Sequence, residues 1–394
     1  MLLYFSTSVV PDIEKYQNAA LNRSGNNALL GISEALWKDG DCTIDSCIPI
    51  PSYPREKLWI PSCVEVFPNG MKVNMLPTLN LKVLKNYFWG LVSFFHIIKW
   101  RLKNKKKECA VIVYNLYSVP IELLYLVCKI SNTKLYAILY DLGVPPKHLG
   151  LSKSTMIAYR LSEHIAKFFI KRLDGRIVIN ESIVKHYAPN KHYVLIDGGI
   201  NEQIISRLFP LEPSKNNDFV FVCAGMLWDQ NGTRLILETL KQFPSLNLKV
   251  LFAGRGNDVG LIEEAAKTDN RITYLGMLTT EKLFKVYEQA DVLLNLRIEE
   301  EVDFHFPSKL LEYLATGKYV ISTPIAHAER DYGHLMGIIK DTTPKGLAEM
   351  MEATMAFGKQ RLFEIGKSAR DYMLAYRTWS YRTTEIINYI EKSI

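Results

Sequence analysis

The sequence predicts an α/β protein built as two doubly wound units in series, on three observations. The chain has 394 residues, more than one hydrophobic core usually serves. Short apolar runs of strand length alternate with helical patterns, the order of a mostly parallel sheet flanked by helices. That alternation stops in the loop Pro210–Asp218 and restarts at Phe219.

In the first half, Leu2–Ser6 reads as a strand, followed by a polar loop at Asn22–Asn27 that contains Gly25 and Asn26. A helical pattern covers Ala28–Trp37, and Asp39-Gly40-Asp41 turns the chain into a strand over Cys42–Ile48. Two aspartates so spaced can hold a metal on a nucleotide, but turn chemistry accounts for them and no metal site is read there. Pro49–Pro77 is proline-rich and reads as irregular or edge-like. A helix spans about Lys82–Arg101, apolar on one side and basic at its end. Ala110–Tyr114 is a buried strand, Ile121–Ile130 a helix and Lys134–Tyr140 a strand ending at Asp141. Thr155–Arg172 is a helix, with strands at Gly175–Ile179 and Tyr193–Ile196 before the turn Asp197–Asn201.

The second half runs strand Phe219–Cys223, helix Thr233–Gln242, strand Lys249–Ala253, helix Leu261–Lys267 and strand Ile272–Tyr274. Helix Glu281–Ala290 and strand Val292–Leu294 follow. Then comes a loop, a helix opened by Pro307 and stopped by Gly317, and a strand over Lys318–Ser322. The expected domains are residues 1–205 joined by a returning helix at 376–394, and residues 206–375.

Hydrophobic content of 48% and charged content of 23% are those of a soluble globular protein. Six scattered cysteines without zinc spacing fit free thiols in a reducing cytoplasm. The N-terminus has no basic leader, and the apolar run Tyr87–Ile98 is too short to span a bilayer. The net charge is +7, and Lys82–Lys107 holds eight basic residues and no acidic one. With Trp89, Phe94, Phe95 and Trp100, the cluster Lys103, Lys105, Lys106 and Lys107 reads either as a cation-rich helix end or as an interfacial helix meeting anionic lipid. No nucleic-acid-binding motif accompanies the basic stretches, and nucleic acid is not an expected partner.

The candidate ligand site lies on the helix after Pro307. Lys309 and Glu312 share one face near its N-terminus. Free amides, a cation and a carboxylate one turn on suit an anionic ligand bearing a sugar hydroxyl. An ordinary amphipathic helix packing Leu310, Leu311 and Leu314 fits the spacing equally well. Glycine loops follow two neighbouring strands, at Ala224–Gly232 and Gly254–Gly260. The second is spaced G-x-G-x-x-x-G, which is not the dinucleotide fingerprint, so a dehydrogenase is not expected. Arg255, Arg297 and Lys309 are three cations able to converge on a diphosphate. Asp303, nearest the helix start, can accept hydrogen bonds from sugar hydroxyls, whereas Glu299 and Glu300 read as solvated charge. Asp141 ends a strand, where such folds place ligands, or else caps the next segment.

Several of these segments together resemble the donor-binding domain of family 4 retaining glycosyltransferases. They are Ala224-Gly225-Met226-Leu227 with Asn231-Gly232, Leu251–Gly256, Tyr274-Leu275-Gly276, Tyr287–Val292 and Phe306–Gly317. The last is similar to the version in capsule and lipopolysaccharide transferases. The resemblance implies the GT-B fold of two Rossmann-like domains facing a cleft, with the C-terminal helix returning to the first. It implies a UDP- or GDP-sugar donor, transfer of a hexose with retention, and no metal or other cofactor. By it, Glu312 holds the ribose hydroxyls and Phe306, Pro307, Ser308 and Lys309 face diphosphate or sugar. Gly225 and Asn231 lie in the donor loop, Gly25 and Asn26 serve the acceptor side, and Asp141 stands beside the reacting sugar. The chain departs from the family in having Met226 and Asn231 where cations are usual, Phe304 where a carboxylate is usual and Tyr140 where histidine is usual.

The function so implied is transfer from the nucleotide sugar to a lipid-linked saccharide at the cytoplasmic face of the cell membrane, in surface polysaccharide synthesis. The missing cations leave room for a catalytically silent subunit of a partner transferase, and the fold also serves nucleotide-sugar epimerases.

Overall fold

A computed structural model describes residues 1–10, 23–38, 42–82, 84–116, 119–140, 142, 153–214, 217–298 and 306–393. The chain divides into two compact units, residues 1–199 with 379–394, and residues 200–378. The division therefore falls somewhat before 205, and the chain returns somewhat after 375.

The first unit begins with β1 (Leu2–Thr7), α1 (Arg23–Lys38) and β2 (Cys42–Ser46). The short strand β3 (Trp59–Ile60) precedes β4 (Cys63–Val66), β5 (Lys72–Met75) and β6 (Thr78–Leu79). Then come α2 (Leu84–Lys103), β7 (Cys109–Tyr114), α3 (Ile121–Ile130), β8 (Lys134–Leu139) and α4 (Lys153–Ile170). It closes on β9 (Gly175–Val178), α5 (Glu181–Tyr187) and β10 (Val194–Leu195). Eight strands form one sheet in the order β10-β9-β8-β7-β1-β2-β5-β4. Every described residue of β1 and β7 is buried, as expected of central parallel strands covered on both faces.

The stretch Pro49–Pro77 is edge-like as expected, with β4 the outermost strand of the sheet, but it is more ordered than its prolines suggest. It supplies β5, parallel to β2 through Asp45↔Asn74 and Ser46↔Met75, and β4, antiparallel to β5. Such pairing depends on partners distant in sequence and leaves no local period. Helix α1 starts at Arg23, so Gly25 and Asn26 lie in a helix instead of the expected loop. Helix α5 was not expected. Asn180 caps it by accepting from Ser182 N at 2.9 Å, and its seven residues are too few to show a helical period.

The second unit opens with α6 (Glu202–Ile205), then β11 (Phe219–Met226), α7 (Thr233–Gln242), β12 (Leu248–Arg255), α8 (Val259–Thr268) and β13 (Ile272–Tyr274). It continues through α9 (Thr280–Gln289), β14 (Val292–Asn295), α10 (Ser308–Thr316), β15 (Tyr319–Ser322) and α11 (Ala328–Tyr332). The strand β16 (Gly337–Ile338) and helices α12 (Pro344–Ala356) and α13 (Gly358–Tyr376) complete it. The sheet order β13-β12-β11-β14-β15-β16 is parallel throughout. Phe221, Val250, Phe252 and Val292 from the strands pack with Ile236, Leu240, Ile262 and Met351 from the helices. Strand order reverses between β11 and β14, the position at which doubly wound sheets bind ligands.

The last helix, α14 (Trp379–Glu391), belongs to the first unit. Trp379 is buried against Gly31 and Gly199, where an added Cβ would fall 1.9 and 2.6 Å from its ring. Arg382 donates to Asp197 at 3.0 Å and to the Leu195 carbonyl at 2.9 Å. Among the described residues, no helix is long and apolar enough to cross a membrane.

Candidate active site

At the carboxyl ends of β11 and β12 the parallel register sets Gly225 beside Gly254 and Met226 beside Arg255. Both glycines have positive φ, +108° and +139°, a region that L side chains rarely enter. A Cβ on Gly254 would lie 1.9 Å from the Gly225 oxygen. The neighbouring strand end is joined to this ledge, since Gly254 N donates to Gly276 O at 2.9 Å and the Tyr274 hydroxyl to Gly254 O at 2.9 Å. Bare backbone at adjacent strand ends is what close approach of a ligand requires.

Helix α10 enters beside this ledge. Pro307 stands just outside its first residue, with φ −73° and ψ 96°, and Gly317 ends it in the left-handed region at φ +78°. The first amides of such a helix have no partner within it and carry the positive end of its dipole. Phe306 is buried, stacked on His327 with ring centroids 4.7 Å apart and tilted against Tyr332. It anchors the entry to α10 through packing, while Ser308 is exposed.

Lys309 donates its ammonium to the Ala224 carbonyl, so close to Gly225 that a Cβ there would fall 2.0 Å from Nζ. One turn on, the Tyr313 hydroxyl accepts from Ala224 N at 3.3 Å. Strand end and helix start are thus tied by two side chains at i and i+4. Burial pulls the Lys309 pKa below its ordinary value. Burial raises that of Glu312, which the Lys309 charge and a hydrogen bond from Tyr287 oppose. Tyr287 packs edge-on against Tyr313, with centroids 5.4 Å apart. Cys223, buried under Lys309, is pushed up to about 11 by burial. The pair Lys309–Glu312 is therefore held on a tyrosine platform.

Arg255 ends β12 with its side chain exposed and without a partner among the described residues. Arg297 follows β14 half-buried, its backbone N donating to Thr323 Oγ1 at 3.0 Å. Since β12, β11 and β14 are adjacent, Arg255, Lys309 and Arg297 stand along one edge of the sheet. Asn231 donates to the Met226 carbonyl at 2.7 Å and closes its own loop; this short-range role leaves no mark in the sequence.

Asp141 and Asp303 lie outside the described residues. Asn26 exchanges two hydrogen bonds with the backbone of Val10, at 3.1 and 3.2 Å, and Gly25 precedes it on α1. Lys103, Lys105, Lys106 and Lys107 are exposed at and after the end of α2, in the first unit. Sequence reasoning missed Tyr287 and Tyr313. Both lie in segments that carry the family resemblance, Tyr287–Val292 and Phe306–Gly317, and Tyr313 also stands four residues from Lys309, but neither receives a role there.

Residues 218–356 match the family model described as Glycosyl transferases group 1. No curated protein sequence matches the chain. Among solved structures it is similar to a glycosyltransferase from Rickettsia africae, at 16% identity and TM-score 0.66, covering 100% of this chain and 98% of that one. It is similar to a sucrose-phosphate synthase from Thermosynechococcus elongatus, at 14% identity and TM-score 0.65, over 100% and 99% of the two chains. A third neighbour is HepE of Anabaena in complex with UDP and glucose, at 13% identity and TM-score 0.59, over 99% and 100%. At these identities the likeness is one of fold, and with the two mostly parallel sheets it identifies the architecture as GT-B, with two Rossmann-like domains.

Proposed function

We propose that the chain is a retaining glycosyltransferase that moves a hexose from a UDP- or GDP-sugar to a lipid-linked saccharide. The observation that carries this reading is the joining of α10 to the end of β11, which sets Lys309 and Glu312 beside the bare Gly225 ledge. Two further facts support it: the family match over the same unit, and the likeness to HepE, whose structure holds UDP and glucose. In this reading Glu312 accepts from the ribose hydroxyls. Lys309, Arg255, Arg297 and the first amides of α10 face the diphosphate and stabilise the negative charge that grows on it as the sugar leaves. These groups take the place of the cations absent at Met226 and Asn231, and no metal is required.

The acceptor side falls to the first unit, at the inner face of the cell membrane in surface polysaccharide synthesis. Along α2, Leu84, Tyr87, Leu91, Phe95 and Leu102 are exposed, and its end is basic, a composition suited to an anionic lipid surface. Glu312→Ala should abolish transfer and weaken nucleotide binding by about tenfold to a hundredfold, as loss of charge-assisted hydrogen bonds does, with the circular dichroism spectrum unchanged. Full activity in that variant would remove Glu312 from the site. A thermal-shift screen of UDP, GDP, CMP and their sugars identifies the nucleotide by mass action.

A second reading has one observation behind it. With Asn231 engaged on Met226 and Lys309 on Ala224, the diphosphate cations of the first loop are not supplied locally, as in a silent subunit supporting a partner transferase. Donor hydrolysis by the purified chain alone would reject that reading.

A further inference from the structure

The first unit contains a cavity of about 910 Å³ between the sheet and α2. Tyr4, Asp45 and Asn74 line its floor, and His96, Lys99 and Lys103 of α2 line its wall, with Lys107 just beyond. It lies on the face of the sheet beside α2, over β1, β2 and β5, and reaches from Leu2 and Cys42 to Asp45 and Met75. Asp45 is buried and both of its carboxylate oxygens are engaged. It accepts from Asn74 Nδ2 at 2.8 Å, from the Tyr4 hydroxyl, and from His96 Nδ1 at 2.7 Å. The bond to Asp45 raises the His96 pKa, which partial burial and the nearby charge of Lys99 oppose. The bond to Asp45 favours the protonated ring, whose Nε2 has no protein partner among the described residues.

Helix α2 has three faces. Trp89, Gly90, Ser93, Ile97 and Trp100 are buried; His96, Lys99 and Lys103 follow one another along the cavity at spacings of three and four; and the exposed apolar residues point elsewhere. One buried carboxylate, engaged on both oxygens, set against a histidine and three lysines makes the lining a poor fit for a cationic ligand.

We propose that this cavity is a second ligand site that takes a phosphate group, with Lys99, Lys103 and the Nε2–H of His96 donating to its oxygens. The exposed apolar stripe of α2 beside it makes a phospholipid headgroup one source of that phosphate, and a soluble phosphate ester is the other. The site deepens the lipid-surface reading of α2 and is independent of glycosyl transfer. Its failure would leave the donor site untouched.

The full chain is titrated with inorganic phosphate while the His96 ring resonances are followed by NMR. Separately, it is sedimented with phosphatidylcholine vesicles with and without phosphatidylglycerol. The variant is Lys99→Glu with Lys103→Glu. The control is Lys185→Glu with Lys191→Glu, the same charge change on two exposed residues near the β10 edge of the sheet, opposite β4. Saturable binding of phosphate, of the anionic vesicles or of both is expected. The site variant should weaken it by about tenfold or more, with the control close to wild type. Binding to phosphate alone assigns a soluble ester, and binding to vesicles alone assigns a headgroup. Binding to neither probe, or equal losses in variant and control, would overturn the proposal.

Discussion

Burial acts on Lys309 and Glu312 with opposite consequences for binding and for stability. The Glu312 pKa lies above 4.5 in the folded chain, so the folded state holds a proton in a window where the unfolded chain does not. Acidification through that window favours folding at this residue. It also removes the carboxylate that a ribose would need. Nucleotide affinity should therefore fall on acidification at a pH above the ordinary glutamate range, and Glu312→Gln should be weaker at neutral pH and flat across that limb. An acid limb unchanged in Glu312→Gln, measured by titration calorimetry against pH, would place the titrating group elsewhere. For Lys309, lowered below 10.5, the unfolded chain binds more protons in the alkaline window, so stability from this group rises with pH there while its charge is lost. Gly225→Ala probes the same contact from the strand side. Its Cβ would overlap Nζ and the backbone is already at φ +108°, so it should lower nucleotide affinity about as much as Lys309→Ala does.

At the scale of elements, α14 is anchored at its start by Trp379 and the buried Arg382–Asp197 ion pair and further along by Tyr389, which packs edge-on against Tyr136. Trp379→Ala should cost the first unit about 3–5 kcal/mol, the range for truncating a buried tryptophan, read as a lowered denaturant midpoint. Gly31→Val should act similarly, because any side chain there meets the Trp379 ring at 1.9 Å. Stability unchanged by both would show that α14 adds little. Elements written in local pattern were legible in the sequence. Helices Ile121–Ile130 and Thr233–Gln242 and strand Ile272–Tyr274 lie where periodicity and turn residues put them. Helix α10 was legible from its punctuation, Pro307 before and Gly317 after. Elements and contacts fixed by remote partners were not. The pairing of β5 on β2 joins Asp45 to Asn74, the cavity network joins Asp45 to His96, and the platform under Glu312 joins Tyr287 to Tyr313. None of these obeys a helical or strand period. The candidate face of α10, Lys309 and Glu312, was readable as residue types, whereas the commitment of Lys309 to Ala224 and of Asn231 to Met226 required the backbone path.

At the scale of the whole molecule, the two units differ in how they are cut from the chain. The second is continuous, residues 200–378, whereas the first is completed only by residues 379–394. The second also encloses its own core, from Phe221 on β11 to Leu362 on α13, and it contains the described parts of the proposed donor site. It meets the requirements of an independently folding domain. A fragment of residues 200–378 should therefore unfold cooperatively and bind the nucleotide within about tenfold of the full chain, a difference of about 1.4 kcal/mol, while transferring no sugar. A fragment of residues 1–199 should be unstable or aggregate, because it exposes Gly31 and Gly199 where Trp379 packs and leaves Asp197 buried without Arg382. Fusing residues 379–394 to its end by a flexible linker should restore a cooperative transition. Loss of nucleotide binding in a folded 200–378 fragment would mean that the first unit contributes to donor affinity. A stable 1–199 fragment would mean that α14 serves something other than completing its sheet.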